Sequence, residues 1–377
     1  MARPAIQRAS AAAAAAAAMN VIAAFAGFLV ACLVAFTLQV FFTSPISPDA
    51  LHLPSLSGPQ PNNELQKVSK IGEGVIDGPE DLFVDKDGVL YTVTRDGWIK
   101  RMRIHGDGSF ENWMRIDSSA GLGITPSKDG GVLIADAELG LLKVTDEDGP
   151  TVLASHINGA EIRFAEELVE SSDGTVYLSI PSTKFGYHNW YHDILEAKPN
   201  GQILKYDPST NQTTVLLDNL CFPNGVALPK EEDYLVFCET WKFRCQKHWL
   251  TGEKKGKTEI FVENLPGGPD NIHLAPDGSF WIGLIQIVSE GQGFLHASKL
   301  LKHLVAWSPK LQDFLSRVLF TKARVVNVGA DGSIIRMLDD PSGEVISFVT
   351  AAFEFEGHLY LGSLTGKFIG KLPLSGT

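Results

Sequence analysis

Acidic and amide residues stand at similar places in three distant parts of the chain. Asp270 and Asn271 occur in LPGGPDNIHLAPDG (265–278), Glu80 in DGPEDLFVD and Asn224 in CFPNGVAL. Each of these sites follows a Gly or Pro and precedes an apolar run. Because Gly, Pro, Asn and Asp favour turns for local backbone reasons, a turn explains any one of them taken alone. Their oxygens could also bind a cation or transfer protons, which requires a fold that brings them together.

A repeat that could bring these distant residues together runs through the chain. An acidic residue, a turn residue and a short β run recur in DKDGVLYTV, SKDGGVLIAD, SSDGTVYLSI, KEEDYLVFCE, APDGSFWIGL and EFEGHLYLGS. The turn falls at Gly88, Gly130, Gly174, Asp233, Gly278 and Gly357, with separations of 42, 44, 59, 45 and 79 residues. A period of 40–50 residues is typical of a β-propeller built from four-stranded blades. We therefore predict an all-β fold, a six-bladed β-propeller over residues 67–377.

Two insertions account for the long separations. One is KFGYHNWYHDILEAKPN after the third repeat, and the other is VSEGQGFLHASKLLKHLVAWSPKLQDFLSRVLFTKA after the fifth. In the second, apolar residues approximate helical spacing, which predicts a helix pair that covers one end of the propeller or contacts the membrane. His188 and His192 in the first have a metal-compatible spacing, but the zinc-protease Glu is missing between them. An aromatic lid is the favoured interpretation.

The N-terminus has a different character from the repeats. Residues 11–42 carry no charge, and the 22 residues from 21 to 42 are long enough to cross a bilayer. We predict a cytosolic tail (1–20), a retained signal anchor (21–42) and a linker (43–66). Arg3 and Arg8 precede the span and Asp49 is the first charge after it, which predicts a single-pass type II topology. The propeller would then be lumenal or extracellular, in the endoplasmic reticulum, the vacuole or at the plasma membrane.

Composition and short motifs agree with a secretory compartment. The net charge is −12 with a pI near 5.3, so no nucleic-acid partner is expected. Asn211 begins a glycosylation sequon. Cys221, Cys238 and Cys245 allow one disulfide in an oxidising lumen, and Cys238–Cys245 is geometrically attractive if the residues between them turn a hairpin. The oligomeric state is left open.

Longer motifs carry a family resemblance. CFPNGVAL, ETWKFRCQKHWLTGEKKG, FVENLPGGPDNI and GHLYLGS, with the anchor and the TSPISP that follows it, resemble the strictosidine synthase-like family. The likeness is to its plant members and to adipocyte plasma membrane-associated protein, and it covers the chain from Ser44 to the end. It implies a propeller related to the calcium-dependent paraoxonases, diisopropyl-fluorophosphatase and gluconolactonases.

The resemblance also implies a calcium ion in the central channel. Its expected ligands are Glu80, Glu166, Asn224, Asp270 and Asn271, since calcium prefers several oxygen ligands. Glu166, in FAEEL, stands where the family usually has an asparagine. With three ionised carboxylates, repulsion in the absence of metal would raise at least one pKa. Two outcomes follow, a tighter but altered calcium site or a site that no longer binds calcium in the family manner.

The implied chemistry is hydrolysis. Calcium would act as a Lewis acid with Asp270 as base or nucleophile. Leu122 and Ala137 replace the paraoxonase histidine dyad, and Thr350 replaces the glutamate of strictosidine synthase, so neither of those mechanisms carries over. We predict a calcium-dependent hydrolase of a small-molecule ester or lactone (arylesterase or lactonase type), not a true strictosidine synthase. The alternative is a catalytically inactive binding or scaffold propeller with a structural ion.

Overall fold

A computed structural model describes residues 3–51, 53, 60–285 and 292–374. Within these residues the strands form six four-stranded antiparallel sheets and one short hairpin. This arrangement confirms the predicted six-bladed β-propeller. The ends of the chain, residues 52 and 54–59 of the predicted linker, and 286–291 of the second predicted insertion lie outside the described residues.

Twenty-six strands are described. In chain order they are β1 (Ser69–Ile71); β2 (Leu82–Val84), β3 (Val89–Val93), β4 (Trp98–Arg103) and β5 (Glu111–Arg115) of blade 1; β6 (Gly121–Pro126), β7 (Val132–Asp136), β8 (Gly140–Thr145) and β9 (Gly149–Ala154) of blade 2; the hairpin β10 (His156–Ile157) and β11 (Ala160–Glu161); β12 (Leu168–Glu170), β13 (Val176–Ile180), β14 (Gly201–Asp207) and β15 (Gln212–Leu220) of blade 3; β16 (Pro223–Ala227), β17 (Tyr234–Glu239), β18 (Arg244–Trp249) and β19 (Thr258–Val262) of blade 4; β20 (Gly268–Leu274), β21 (Phe280–Ile285), β22 (Ala323–Val328) and β23 (Ile334–Asp340) of blade 5; and β24 (Val349–Phe355), β25 (His358–Ser363) and β26 (Ile369–Pro373) of blade 6.

The ring is closed by the N-terminal strand. β1 pairs antiparallel with β26, opposite Ile369–Lys371, and completes blade 6 as its outer strand. The first strands of successive blades, β2, β6, β12, β16, β20 and β24, contact one another around the centre. The repeated turns, from Gly88 to Gly357, each join the first and second strands of a blade. Residues that begin a blade therefore face the central channel.

In the described part of the chain, five helices lie outside the blades. They are α1 (Arg3–Thr43), α2 (Trp190–Glu196), α3 (Gln292–Ala297), α4 (Lys299–Trp307) and α5 (Pro309–Leu319), with short 3-10 turns at Glu64–Lys67, Tyr187–Asn189 and Thr240–Lys242. α2 lies in the first predicted insertion, and α3–α5 lie in the second. Serine caps begin α4 and α5, where Ser298 and Ser308 accept hydrogen bonds from backbone N–H groups. Instead of the predicted pair, the second insertion therefore holds two capped helices preceded by a shorter one.

The helices cover one end of the propeller. A buried cluster joins Tyr191 and Ile194 of α2, Val305 of α4 and Phe320 after α5 to the blade ends, and it includes Ile46 of the linker. Apolar burial of this size is the main force that holds a helical insertion on a sheet scaffold. We call this layer, made of α2 and α3–α5, the cap.

The N-terminal helix is long and apolar. Residues 13–43 form a 31-residue stretch, long enough to span a membrane, and its most apolar 18-residue window has a mean hydropathy of 2.6. After Thr43 the linker is held down rather than loose. Asp49 N–H donates to the carbonyl of Glu196, and Leu51 N–H donates to the carbonyl of His296. The beginning of the linker is therefore fixed to the cap.

Closure of the ring can be tested at Leu65. This side chain is fully buried in the cluster between blades 5 and 6, just before β1. Leu65→Ala should lower the free energy of unfolding by about 2–5 kcal/mol, because it leaves a cavity where the N-terminal strand docks. Lys67→Ala, at an exposed position of the same turn, should change it by less than about 0.5 kcal/mol. Urea unfolding of the full chain in detergent measures both, and equal stabilities would contradict this account of closure.

Candidate functional site

Four blades deliver acidic and amide side chains to the centre. Glu80 precedes β2, Glu166 precedes β12, Asn224 lies in β16, and Asp270 and Asn271 lie in β20. All five are buried, with at most 4% of each residue exposed. Carboxylate oxygens of the three acids lie within 4.8 Å of one another. The residues that sequence analysis grouped from distant repeats therefore meet at one place.

Glycines on neighbouring inner strands allow this approach. A Cβ at Gly225 would lie 2.5 Å from the carbonyl oxygen of Asp270, and one at Gly123 would lie 2.7 Å from that of Glu166. Distances below 3.0 Å are not tolerated against backbone atoms. A side chain at either position would therefore push the strand that carries an acid away from the axis.

The backbone entering the site repeats an unusual conformation. Phe164, Phe222 and Phe348 have φ of 59°, 57° and 48°, in the left-handed region where bulky residues are rare. Each stands two residues before a channel residue, namely Glu166, Asn224 or Thr350. Gly78, with φ of 58°, stands two residues before Glu80. Such backbone strain persists where the surroundings enforce it, and here it aims the following side chains at the centre.

Hydrogen bonds satisfy the amide nitrogens of the site and leave oxygens without donors. Asn224 Nδ2 donates to Asp270 Oδ1. Asn271 Nδ2 donates to both carboxylate oxygens of Glu80, at 3.0 and 3.2 Å. Asn224 Oδ1, Asn271 Oδ1 and Glu166 Oε2 are buried without a hydrogen-bond partner. Buried polar atoms are normally paired, so three unpaired oxygens in one cluster need an explanation.

The three carboxyl groups of the cluster resist ionisation in this environment. Burial, and then the neighbouring Asp81 carboxylate, raise the pKa of Glu80 to about 8, although Arg95 opposes the shift. Burial raises the pKa of Glu166 well above its usual value, and the charges of Glu80 and Asp270 add to this. The pKa of Asp270 is raised for the same reasons, against the hydrogen bond from Asn224. Neutral forms are favoured because burial and mutual repulsion outweigh the opposing charge of Arg95.

Apolar walls surround the cluster. A cavity of about 40 Å³ is bounded by the polar residues Glu80, Glu166, Asn224, Asp270 and Thr350 and, in addition, by Leu122, Phe164, Tyr187, Trp190, Phe222, Ile285, Phe348 and Leu364. That volume holds an ion or a water molecule rather than a whole substrate. Tyr187 and Trp190 belong to the insertion that was predicted to form an aromatic lid. The phenylalanines of the wall were missed by sequence analysis, although the position of each two residues before a channel residue is a usable signal.

A second buried cluster lies beside the first. Ligand atoms of Asp81, Glu167 and His273 fall within 4.8 Å of one another, and His273 Nε2 lies 2.9 Å from Asp81 Oδ1. Asp81 Oδ2 accepts a hydrogen bond of 3.0 Å from the N–H of Ile124, which ties blade 1 to blade 2. Sequence analysis did not single out this cluster. The sequence signal for this cluster is an acidic pair that begins two of the blades, namely Glu80–Asp81 and Glu166–Glu167.

Three departures from related enzymes also lie near the centre. Leu122 lines the cavity, and Ala137 is buried in the cap cluster. The Thr350 hydroxyl donates to the backbone carbonyl of Glu80, which holds the loop that carries this acid. Glu354, the acid in the same strand as Thr350, accepts a 2.6 Å hydrogen bond from Trp281 Nε1. No histidine lines the cavity among the residues that the structure describes.

The two histidines of the first insertion face different partners. His188 Nε2 lies 2.9 Å from Glu138 Oε1. The ring of His192 packs against Phe185, and its Nε2 lies 3.1 Å from Gln312 Nε2 of α5. These separate contacts agree with the aromatic-lid interpretation rather than with a shared metal.

Two further predicted positions lie away from the channel. Asn211 is exposed in the turn between β14 and β15, where it accepts a 3.0 Å hydrogen bond from the Tyr206 hydroxyl. Cys238 and Cys245 are paired residues of β17 and β18, and their sulfurs are bonded. Asn211 is therefore accessible at the surface, and the disulfide links β17 to β18 within the buried part of blade 4.

Comparisons with known proteins agree with this architecture. The family described as Strictosidine synthase matches residues 167–253, and Strictosidine synthase-like, N-terminal, matches residues 60–102. Protein strictosidine synthase-like 4 of Arabidopsis thaliana is 32% identical over 91% of this chain and 93% of its own. Adipocyte plasma membrane-associated protein of Salmo salar is 34% identical over 91% of this chain and 88% of its own.

Solved structures support the fold. A gluconolactonase of Xanthomonas campestris has a TM-score of 0.58 and 13% identity, over 88% of this chain and 96% of that one. Regucalcin of Agrobacterium tumefaciens, a calcium-binding protein, has a TM-score of 0.54 and 13% identity over 87% and 94%. Sequence identities this low are evidence for the propeller fold only. The two relatives that are 32% and 34% identical over nearly the full length of the chain are stronger evidence. They show that this chain belongs to the strictosidine synthase-like family.

Proposed function

We propose that the channel binds calcium and that the chain hydrolyses an ester or a lactone. The observation that carries this proposal is the set of buried oxygens without donors, Glu166 Oε2, Asn224 Oδ1 and Asn271 Oδ1, beside the carboxylates of Glu80 and Asp270. A hard divalent cation prefers an all-oxygen environment of carboxylates and amide carbonyls. The unpaired oxygens therefore fit a cation better than they fit any hydrogen-bond network within the chain.

The residues that would hold calcium are Glu80, Glu166, Asn224, Asp270 and Asn271. Bound there, calcium would polarise the carbonyl oxygen of a substrate as a Lewis acid. The positive charge would also lower the raised pKa values, because each carboxylate gains a close opposite charge. Glu166 supplies one more negative charge than an asparagine would, and we favour the tighter, altered calcium site over loss of binding.

Asp270 is proposed as the base or nucleophile. It lines the cavity, and Asn224 Nδ2 fixes its Oδ1. Held ionised by the cation and poorly hydrated in an apolar pocket, Asp270 would be in the state that a base or nucleophile requires. Tyr187, Trp190 and the phenylalanine wall would exclude bulk water from the acids, while the apolar part of a substrate would occupy the larger adjoining space that shares Trp190 and Phe348 with this cavity. The gluconolactonase likeness supports a lactone as one substrate class.

The apolar helix α1 is proposed as a retained membrane anchor with the propeller on the lumenal or extracellular side. Its 31-residue apolar stretch is longer than the apolar region of a cleavable signal peptide. Arg3 and Arg8 before the span support a cytosolic N-terminus. The similarity to adipocyte plasma membrane-associated protein supports the same setting. Glycosylation of Asn211 would follow from this topology.

A binding or scaffold propeller with a structural ion is the second candidate. The observation that favours it is the use of Thr350 as a loop support and of Leu122 as an apolar wall, where related enzymes have catalytic groups. Calcium binding is common to both candidates. Only turnover distinguishes them.

Removing the Glu166 charge should have two opposite effects. Without calcium, Glu166→Gln should be more stable than the wild type at pH 8, because one of three mutually repelling carboxyls is gone. Calcium affinity should fall at least about tenfold, or about 1.4 kcal/mol, because a charged ligand is lost. Thermal unfolding of the full chain, with calcium and with chelator, measures both. The control Glu263→Gln alters an exposed acid and should behave as wild type; equal calcium shifts in all three proteins would exclude the site.

Stabilisation by calcium should depend on pH. Folding raises the pKa of Glu80 from 4.5 to about 8, so between these values the folded state binds more protons than the unfolded state. Metal-free stability should therefore fall as the pH rises through this window. Calcium needs the ionised carboxyls, so its increase in Tm should be larger at about pH 8 than at about pH 6. A calcium effect that is larger at the lower pH would contradict the assignment of Glu80.

Turnover should depend on Asp270. The full chain should hydrolyse phenyl acetate or a simple lactone with calcium, and chelator should abolish the activity. Asp270→Asn should lower kcat by about 10²–10⁴-fold, the range for loss of a general base, while Glu263→Gln should leave it unchanged. Absence of wild-type turnover, with Tm still raised by calcium, would reject the hydrolase and support the scaffold.

A further inference from the structure

Exposed apolar side chains concentrate on the cap. Outside α1, eleven large apolar residues are exposed in the described part of the chain, and six of them belong to α3, α4 and α5. The other five are isolated Val or Ile residues. We call the six the insertion face: Phe294, Leu300, Trp307, Leu311, Phe314 and Val318. Clustered apolar exposure of this kind marks an interaction surface.

Helix α5 has apolar residues on both of its sides. Leu315 packs on the cap cluster, and Gln312 Nε2 donates to the carbonyls of Val305 and Ala306. Leu311, Phe314 and Val318 recur at the spacing of one helix face and point away from the protein, with Phe314 60% and Val318 53% exposed. Packing on the propeller therefore does not explain the second apolar side.

This surface is continuous with α1. The ring of Trp307 meets that of Phe36 edge to face at 5.6 Å, and the ring of His303 lies 4.3 Å from that of Phe41. Phe36 stands seven residues before Thr43, so Trp307 lies roughly 10 Å along α1 from its end, at 1.5 Å per residue. The cap therefore lies beside the last turns of the apolar helix, not beyond them.

The length of α1 fixes the depth of the cap relative to a bilayer. The 31-residue apolar stretch is about 46 Å long at 1.5 Å per residue. About 20 residues are enough to cross the hydrocarbon layer. If the first two thirds of this stretch span the membrane, Phe36 lies in the headgroup region. If the membrane span instead ends at Phe42, Phe36 lies in the outer part of the hydrocarbon layer. Either position puts Trp307 at or near the interface, where Trp is enriched.

We propose that the insertion face lies on the lipid bilayer, in the headgroup region of the leaflet from which α1 emerges. This inference rests on the proposed anchor. The bilayer is the one occupant that is already beside this surface, because α1 and α4 are in direct contact. An amphipathic helix that lies in the interface buries its apolar side in the same manner.

Contact with lipid would bring the channel entrance to the membrane. A space of about 670 Å³ lies between Ser316, Arg317 and Phe320 at the end of α5 and the loops of blade 6. It shares Trp190, Phe348 and Leu364 with the small cavity over the acids. Lipid-dissolved molecules would therefore meet this entrance directly.

Fluorescence quenching in vesicles tests the proposal on the full chain. A bimane label is placed at Phe314→Cys or, as a matched control, at Ile335→Cys, which is 60% exposed on a blade. Both carry Cys32→Ala, and the buried Cys221 is left in place. In phosphatidylcholine vesicles that contain headgroup-nitroxide lipid, the label at 314 should lose most of its fluorescence and the label at 335 should keep it.

The anchor itself is tested separately by labelling the native Cys32, which is exposed on α1. Quenching of Cys32 by chain-nitroxide lipid, without lipid quenching at 314, would overturn the proposal and leave the anchor intact. Label 314 quenched only by aqueous iodide would mean that the face stays in water. Label 314 protected from both quenchers would mean that protein, such as a second copy, covers it. Either result would overturn the lipid contact.

Discussion

Mutual repulsion among three buried carboxyl groups is the constraint on which the rest of this molecule depends. Glu80, Glu166 and Asp270 lie within 4.8 Å of one another and away from water. In an apolar setting such groups either stay protonated or share a cation, because unpaired buried charges are costly. The amide nitrogens are already used, and they do not neutralise the acids. Protons and any cation bound there would therefore compete for the same oxygens, and the charge of the site would depend on which of them is bound.

The scaffold resists this repulsion through backbone geometry. Each inner strand is fixed by its own blade, and close contact at Gly123 and Gly225 leaves no room for the strands that carry the acids to move closer to their neighbours. Phe164 and Phe222 adopt left-handed φ values immediately before the site, and the same rings form the cavity wall. Strain, packing and electrostatics are therefore properties of the same few residues. A change in one of these rings would alter the orientation of an acid as well as the shape of the pocket.

The six blades, the turn positions and both insertions could be predicted because they depend on local signals, namely turn residues and strand-like runs at a fixed period. The grouping of Glu80, Asn224 and Asp270 was accessible for the same reason, since residues at one phase of a closed repeat share an axis. The cluster of Asp81, Glu167 and His273 was not. It depends on which side of the backbone each member of an acidic pair faces, and on the contact of blade 1 with blade 2 through Ile124. Nor does the sequence reveal that the linker is held on the cap, because these bonds join backbone groups far apart in the chain.

That attachment determines how the propeller stands relative to α1. Asp49 and Leu51 donate backbone hydrogen bonds to the cap, Ser47 N–H donates to Glu196 Oε1 at 2.8 Å, and Lys302 Nζ donates to the carbonyl of Asp49 at 2.7 Å. Only a few residues separate these bonds from the end of the helix at Thr43, and Ile46 between them is buried in the cap cluster. A flexible tether would let the propeller tumble freely above a membrane. Here the tether, the cap and the last turns of α1 pack as one unit, so an anchored helix would also orient the entrance of the channel.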